Sequence, residues 1–296
     1  MAATTNTIVL ASKFQPILDE IYKEASKSAG MDAKTKPVSF AGANVVSVYQ
    51  NTLYGLGTYS RNDGYPDGDV MGEWVTLTLA TERGRKMFID RLDNEETLGE
   101  AMGSTVGEFM RLFVVPELDA YRFAKYATGA GNTVGAPCTL SAATILAAID
   151  VAAGQMDDDE VPEEGRKLYL SSTCMRFLQA AITRMLGNES SADRRLAFLD
   201  GVELIKVPKT RFYTICTLNA GATAQVGGYT NAGVEVNFLM IHPTAIMQVK
   251  KHAKLKLFNP DENQSKDGWS VQYRIYHDAF VYDNKTDGIY AHTKAA

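Results

Sequence analysis

Residues 54–69 have the sequence YGLGTYSRNDGYPDGD and lie between two segments with strand-like composition. Two Asp-Gly pairs, at 63–64 and 67–68, are turn signals. A connection this long inside a compact domain is usually functional or disordered. Because this one combines three tyrosines with mixed charge, we expect a contact surface. The candidate contact residues are Tyr54, Tyr59, Arg61, Asp63, Tyr65, Asp67 and Asp69.

Strand patterns flank this loop on both sides. Residues 38–49 are rich in valine, and residues 73–79 alternate in side-chain character. In the second segment Val75, Leu77 and Leu79 fall on one face, whereas Trp74 and two threonines fall on the other. An isolated hairpin is marginally stable in water. The sequence therefore predicts a long hairpin over residues 37–92 that needs partner chains to stay ordered.

Residues 1–36 are predicted to form an N-terminal arm. Phe14, Ile17, Leu18 and Ile21 have the spacing of one helical face. A segment below about 40 residues with one apolar stripe cannot build its own core. We therefore expect this helix to pack on the body of its own chain or on a neighbour.

Residues 93–127 carry the apolar periodicity of a long helix. Pro116 should kink or divide it, because proline removes a backbone donor. Gly99, Gly103 and Gly107 lie four residues apart and share one face. Each costs about 1 kcal/mol relative to alanine in a helix interior. This pattern predicts either the close approach of another backbone or a loose helix.

The rest of the chain alternates between helices and strands, which indicates an α+β fold. Residues 210–234 are rich in Gly, Thr and Ala and are predicted to form turns. We predict helices from Ser141 to about Met156, from Ser172 or Thr173 to Gly187 and over 244–251, and strands over 167–170, 202–207, 237–242, 254–258, 269–278, 280–282 and 289–292.

Composition and charge exclude several classes of protein. Of 296 residues, 45% are hydrophobic and 22% are charged, which is ordinary for globular proteins. The net charge of −5 argues against a dedicated nucleic-acid-binding protein, so any contact with DNA should be weak and sequence-blind. No apolar run approaches the roughly 20 residues that span a bilayer, and no signal peptide is recognised. We expect synthesis in the cytoplasm and no membrane contact.

The sequence offers little catalytic chemistry. Cys138, Cys174 and Cys216 are far apart and are predicted to be small buried hydrophobic residues. The four histidines lack metal-ligand spacing, and the His277-Asp278 pair should point to opposite faces of a strand. We therefore expect His277 to be an ordinary surface or hydrogen-bonded histidine. No phosphate loop, nucleophile elbow or cofactor motif is present, and no cofactor is predicted.

An acidic run follows the predicted helix that ends near Met156. It begins with Asp157, Asp158, Asp159 and Glu160. Carboxylates are ligands for hard cations, but the spacing does not match a known calcium loop. A solvated acidic loop is the simpler interpretation.

Four segments resemble, in sequence and in order, the major capsid proteins of tailed bacteriophages. VVPELDAYR at 114–122 resembles the end of the family's spine helix. LDGVELIKVP at 199–208 resembles its A-domain strand. FLMIHPTAIMQVK at 238–250 and YRIYHDAF at 273–280 resemble its closing P-domain.

The resemblance implies the tailed-phage major capsid fold, with an extended hairpin called the E-loop. It divides the chain into an N-arm at 1–36, the E-loop hairpin at 37–92, a P-domain with spine helix at 93–134 and 235–296, and an A-domain at 135–234. It also implies a structural protein, not an enzyme. Copies would assemble through hexamers and pentamers into the icosahedral head of the virion, around double-stranded DNA, in the host cytoplasm. A scaffolding protein and a portal are implied partners.

The resemblance also implies roles for particular residues. The tip of the hairpin would lie over one neighbour, and the arm residues Phe14 to Ile21 would lie beneath another. The acidic residues 157–160 would meet at the capsomer centre. Gly99, Gly103, Gly107 and Pro116 would act as a hinge when the shell expands.

Two departures from the family qualify these expectations. Because only 36 residues precede the hairpin, we expect a separate scaffolding protein instead of a cleaved leading segment. The tip has Arg61 but no lysine, so we expect no covalent crosslinking of the shell.

Two other classes stay open at this point. A cellular nanocompartment shell has a similar fold and would be accompanied by a cargo enzyme. An enzyme such as a hydrolase would need a pocket with convergent titratable groups.

Overall fold

The computed structural model describes residues 26–31, 39–40, 45–53, 55–62, 64–65, 67, 70–92, 106–185, 196–221, 227–263 and 266–295. Within these residues the strands are β1 (Ser39–Phe40), β2 (Val45–Leu53), β3 (Val70–Thr78), β4 (Thr81–Asp90), β5 (Asn132–Thr133), β6 (Lys167–Ser171), β7 (Phe198–Leu199), β8 (Val202–Val207), β9 (Tyr213–Leu218), β10 (Tyr229–Ile241), β11 (Ile246–Phe258), β12 (Gly268–Val281) and β13 (Ile289–Thr293). The α-helices are α1 (Val115–Thr128), α2 (Ile145–Asp158) and α3 (Ser172–Met185), and short 3-10 turns cover Ala29–Met31, Lys209–Arg211, Pro243–Ala245, Pro260–Glu262 and Asp283–Gly288. The α+β class predicted from the sequence is confirmed.

Strands β2 and β3 form the predicted hairpin. They are antiparallel, with Val46 opposite Leu77 and Tyr49 opposite Trp74. Leu79 is buried and Leu77 is partly buried, whereas Trp74 is exposed, so the predicted alternation is confirmed. Strand β1 pairs with the other edge of β2 and completes a three-stranded sheet.

A second three-stranded sheet has the order β11-β12-β4 and is antiparallel throughout. One face of its central strand presents Val271, Tyr273 and Ile275 to a buried cluster that includes Val115 and Leu118 of α1. This packing holds helix α1 against the sheet.

Helix α1 continues a helical segment that is described from residue 106 onward. A π-helical turn, Met110–Val114, leads directly into α1, and the amide of Val115 donates to the carbonyl of Met110. Pro116 lies in the first turn of α1, where its missing amide proton is best tolerated. Pro116 therefore coincides with a change of hydrogen-bonding pattern, while Val114 and Val115 keep helical backbone angles. Gly99 and Gly103 lie outside the described residues.

The third sheet has the order β5-β13-β10-β6-β8-β7, with β9 paired to another part of β10. Helices α2 and α3 contribute to a buried cluster with this sheet, through residues such as Ile149, Leu178 and Phe238. The boundary predicted near residue 234 falls inside β10, so this strand belongs to both halves of the chain.

Three predicted elements differ from the structure. Residues 244–251, predicted as a helix, begin β11 after a 3-10 turn, because pairing with β12 along nearly the whole strand overrides local helix propensity. Residues 210–234, predicted as turns, contain β9 and the start of β10, with an irregular register near Gly233. Helix α2 begins at Ile145, one turn after Ser141, because Ser141 and Thr144 bond to each other in a turn.

The position of Gly107 gives a test of the glycine face. A Cβ atom added at Gly107 would meet no described atom within 4 Å, so no close backbone of the chain's own described residues explains this glycine. We expect Gly107→Ala to stabilise the isolated subunit by about 0.5–1 kcal/mol in urea unfolding, because alanine is the better helix former.

A matched control is Gly131→Ala, whose Cβ would lie 2.7 Å from a backbone carbon of Thr286 and 2.9 Å from the backbone nitrogen of Asp287. We expect this variant to be destabilised. Destabilisation by Gly107→Ala as well would show that an internal contact requires this glycine.

Candidate assembly surfaces

The outward face of the hairpin carries an exposed aromatic pair. Tyr49 and Trp74 are 51% and 61% exposed, and their ring centroids are 5.1 Å apart. The ring of Tyr49 lies over Gly72, where an added Cβ would come within 2.5 Å of the ring carbon Cζ. A glycine covered by a cross-strand aromatic ring is a known device for stiffening a strand pair. The hairpin thus displays a fixed apolar patch to its surroundings.

The tip of the hairpin is more exposed still. Leu56 is fully exposed and Tyr65 is 87% exposed. Tyr59 packs edge-on against Tyr65, with ring centroids 5.0 Å apart, across a backbone bridge between Ser60 and Gly64. Of the predicted tip residues, Tyr59, Arg61, Tyr65 and Asp67 are exposed, and Tyr54, Asp63 and Asp69 lie outside the described residues. Their role in contacts between subunits stays a prediction.

The root of the hairpin, in contrast, is firmly held. Val46 and Leu79 are buried together with Met247 and Val249 of β11. Just beyond the hairpin, the backbone amide of Ala80 donates to Asp278 over 2.8 Å.

The carboxylate of Asp278 joins three elements. It is buried, and it accepts hydrogen bonds from the Tyr121 hydroxyl at 2.8 Å and from the amide of Ala80. Burial raises the pKa of Tyr121, so its hydroxyl keeps the proton that it donates. Asp278 therefore links helix α1, strand β12 and the root of the hairpin.

A second buried carboxylate, Asp119 of α1, holds the root of the N-terminal arm. Its oxygens accept from the hydroxyls of Ser26 and Ser28 at 2.8 and 2.7 Å, and from the backbone amides of Lys27 and Ser28. Arg211 forms an ion pair with it at 3.1 Å. Residues 26–31 thus lie against their own subunit. The predicted arm contacts Phe14, Ile17, Leu18 and Ile21 lie outside the described residues.

Arg122, one turn after Asp119, is also fully buried. Its Nη1 donates to the hydroxyl of Ser28 at 2.8 Å, while its Nε and Nη2 have no hydrogen-bond partner among the described residues. This pair was not predicted from the sequence as a structural feature. The available signal was two opposite charges three positions apart, which puts them on one helix face, but Glu117 and Lys125 of the same helix weaken that signal.

The acidic residues near the end of α2 are partly engaged. Arg166 forms an ion pair with Asp157 at 2.6 Å, and its guanidinium also donates to the carbonyls of Val161 and Pro162. Asp159 accepts from the side chain of Asn132. Asp157 and Asp158 belong to the last turn of α2 and not to the loop as predicted.

Asp158 and Glu160 are exposed. Within the part of the chain that the structure describes, no group of three or more His, Cys, Asp or Glu side chains could hold a metal ion. The location of these acidic residues at a capsomer centre stays a prediction.

Two predictions about reactive side chains need correction. Cys138 is exposed, not buried, with its sulfur 3.6 Å from Nε2 of His292. Cys174 is buried and Cys216 is half-buried, and burial raises the pKa of both thiols, that of Cys216 to about 11. His277 is not an ordinary histidine: it is buried, and its Nδ1 has no hydrogen-bond partner among the described residues.

A cavity of about 710 Å³ is bounded by three parts of the chain. They are the helical segment that contains the π-helical turn and the start of α1, strand β4, and the β9–β10 connection. Its lining includes the rings of Phe109, Phe113 and Tyr273. Its charged groups Arg83 and Glu117 form a paired contact with distances of 2.7 and 3.1 Å. Arg83 also donates to the backbone carbonyls of residues 219 and 228, so this pair ties α1 to that connection.

No helix in the described ranges combines the length and apolar character needed to cross a bilayer.

Comparison with known proteins identifies the fold. No family model and no curated protein matches the sequence. Among solved structures, the chain is similar to one from Mycobacterium phage Che8, with a TM-score of 0.60 at 13% identity over 84% of each chain. It is similar to the capsid of Cyanophage P-SCSP1u, with a TM-score of 0.61 at 16% identity over 87% of this chain and 85% of that one. It is also similar to the asymmetric unit of the bacteriophage PhiM1 mature capsid, with a TM-score of 0.58 at 13% identity over 84% of this chain and 81% of that one. The chain therefore has the tailed-phage major capsid fold.

The Asp119 network gives a prediction about stability. Asp119→Ala would leave Arg211 without its ion-pair partner and the amides of residues 27 and 28 without an acceptor. We expect a loss of about 3 kcal/mol in the free energy of unfolding, measured in urea. Glu108→Ala, at an exposed site of the same helical segment, should change it by less than about 0.5 kcal/mol. A loss below about 1 kcal/mol for Asp119→Ala would contradict the structural role of this carboxylate.

The environment of His277 gives a prediction about pH. Burial and, to a lesser extent, the nearby cations Arg122, Lys250 and Arg83 together lower its pKa to about 3. In the unfolded chain the histidine has a pKa near 6.5 and becomes protonated, whereas in the folded chain it stays neutral. The free energy of unfolding therefore falls as the pH drops below about 6.5. We expect this residue to cost about 2–3 kcal/mol between pH 7 and pH 4.5.

The measurement compares urea unfolding of the unaltered chain and of His277→Gln across this pH range. The difference between the two free energies of unfolding should change in favour of the variant as the pH falls. Parallel curves would contradict the buried neutral state of His277.

Proposed function

We propose that this chain is the major capsid protein of a tailed bacteriophage, which assembles into an icosahedral head around double-stranded DNA. One observation carries the proposal: a fold matched along most of its length by phage capsid subunits also has a hairpin that is buried at its root and apolar at its exposed end. The chain acts as a structural subunit of the virion and not as an enzyme.

The exposed apolar side chains of the hairpin support contacts between copies. Exposed apolar side chains grouped in this way are typical of interaction sites in soluble proteins. The large apolar residues exposed on the hairpin are Tyr49, Leu56, Tyr59, Tyr65, Met71 and Trp74. A second copy is the partner that closed symmetric assembly requires, because each subunit then offers and receives the same contact.

Assembly through several modest contacts follows from this arrangement. The hairpin reaches one neighbour and the arm reaches another, and each contact raises the effective concentration of the next. Hexamers and pentamers form around the A-domains, with the acidic residues 157–160 near the capsomer centre. A scaffolding protein and a portal guide assembly in the host cytoplasm.

Expansion of the shell is accommodated in the helical segment that leads into α1. The π-helical turn Met110–Val114 before Pro116 is a point where the helical hydrogen bonds already change register. π-bulges and proline are the usual sites of helix bending. Gly107 lies on the same helical segment, and we assign Gly99 and Gly103, which are outside the described residues, to the same proposed hinge.

The test removes the tip of the hairpin. We expect deletion of residues 56–68 to leave a folded, soluble subunit, because the buried root does not depend on the tip. Electron microscopy should show no stable shells, because the apolar contact to the neighbour is lost.

A second variant replaces residues 56–68 by a Gly-Ser segment of the same length. It keeps the chain connection but removes the side chains, so it should also fail to form shells. Normal particles from either variant would overturn the role assigned to the hairpin.

A further inference from the structure

The sheet β11-β12-β4 has a second face, opposite helix α1, that is rich in cations. Strand pairing sets Lys254 opposite Arg274, and it sets Lys256 opposite Gln272, which in turn lies opposite Lys86. Residues two apart on a strand share a face. Lys254, Lys256, Arg274 and Lys86 therefore form one grid across three strands, here called the basic face.

This face is open, and its lysines are unneutralised. All four cations of the basic face are exposed. Arg274 is paired with Glu82 of β4, whereas Lys254, Lys256 and Lys86 have no carboxylate partner among the described residues. Among the described residues, acidic side chains lie toward the two ends of this sheet: Glu82 and the buried Asp278 at one end, and Asp90 with those of the turn at 261–267 at the other. A chain with a net charge of −5 thus concentrates positive charge on one sheet face.

We propose that the basic face binds the phosphate backbone of double-stranded DNA, an inference that rests on the proposed capsid function. Neighbouring strands lie about 4.8 Å apart and alternate residues about 6.7 Å apart, so the lysines spread over a surface wide enough to follow several phosphates. Lysine is a flexible point charge that contacts phosphate without reading bases.

The composition favours DNA over an acidic protein partner. Interfaces between proteins are depleted in lysine and enriched in aromatic anchors that fill pockets. The centre of the basic face has lysines and a glutamine. Its aromatic residues lie toward the two ends: Phe88 beneath Lys266, with the half-buried Phe258, at one end and the half-buried Tyr276 at the other. The aromatic surface expected for a protein contact lies instead on the hairpin.

The proposed contact is weak because few charges take part in it. Three unpaired lysines neutralise about three phosphates, which corresponds to a salt slope near −2.7 for duplex DNA. Binding of this strength holds DNA along the wall of a shell without fixing its position. The basic face is then the surface that makes the weak, sequence-blind contact with DNA expected from the sequence.

The test measures binding of a labelled duplex to the full-length protein by fluorescence anisotropy at 50 mM salt and above. The triple variant Lys254→Gln, Lys256→Gln, Lys86→Gln should lose at least about tenfold in affinity at low salt, and its salt slope should become shallower by about 2–3. The control is Lys206→Gln, at an exposed lysine on β8, which should bind as the unaltered chain does. Equal binding by the triple variant, or no binding by the unaltered chain, would overturn the proposal.

Two further measurements separate this inference from the proposed function. Polyglutamate replaces DNA in the same assay: stronger dependence on the three lysines for polyglutamate than for DNA would overturn the assignment in favour of an acidic protein. Electron microscopy of the triple variant should show shells of normal size. Loss of shells with unchanged DNA binding would make the basic face a contact between subunits instead. Failure of the unaltered chain to form shells would contradict the capsid function, whatever its affinity for DNA.

Discussion

Two buried carboxylates, Asp119 and Asp278, hold the extended parts of this subunit to its body. A buried carboxylate is tolerated only where hydrogen bonds or cations replace its hydration. Asp278 meets this requirement with the Tyr121 hydroxyl and the amide of Ala80, at the root of the hairpin. Asp119 meets it with the serines and amides of residues 26–28, at the root of the arm. Because both requirements are satisfied around helix α1, the root of the hairpin and residues 26–28 are fixed to the body of the chain.

Among its described residues, the far end of the hairpin has no buried carboxylate that anchors it to the body. Its aromatic residues face outward, and a strand pair with exposed apolar side chains gains little stability on its own. The contrast between a satisfied root and an unsatisfied tip is the physical reason for placing a second copy there. On this proposal the subunit folds by itself, and its hairpin tip is covered only in the assembly.

Sequence patterns predicted the parts that local periodicity determines. The alternation around Trp74 predicted the hairpin with its correct inner and outer faces, and the strand predicted at 202–207 matches β8. The strand β11 was mistaken for a helix at its start, because Ile246 to Lys251 owe their conformation to β12, far along the chain. Partner strands at long sequence separation leave no local signal.

The same limit applies to the site residues. The tip residues Tyr59 and Tyr65 could be identified as exposed, because turn signals surround them. Asp119 and Arg122 are opposite charges on one helix face, yet their partners at 26–28 lie more than 90 residues away. His277 could not be recognised as buried from its neighbours in sequence, because Tyr121 and Arg122 surround it only in the folded chain.

Electron microscopy of the purified, full-length protein tests the central claim most directly. If the apolar end of the hairpin is completed by another copy, the protein forms closed shells or ring-shaped capsomers of uniform size. Monodisperse monomers at high protein concentration, with the hairpin folded in the same way, would contradict it.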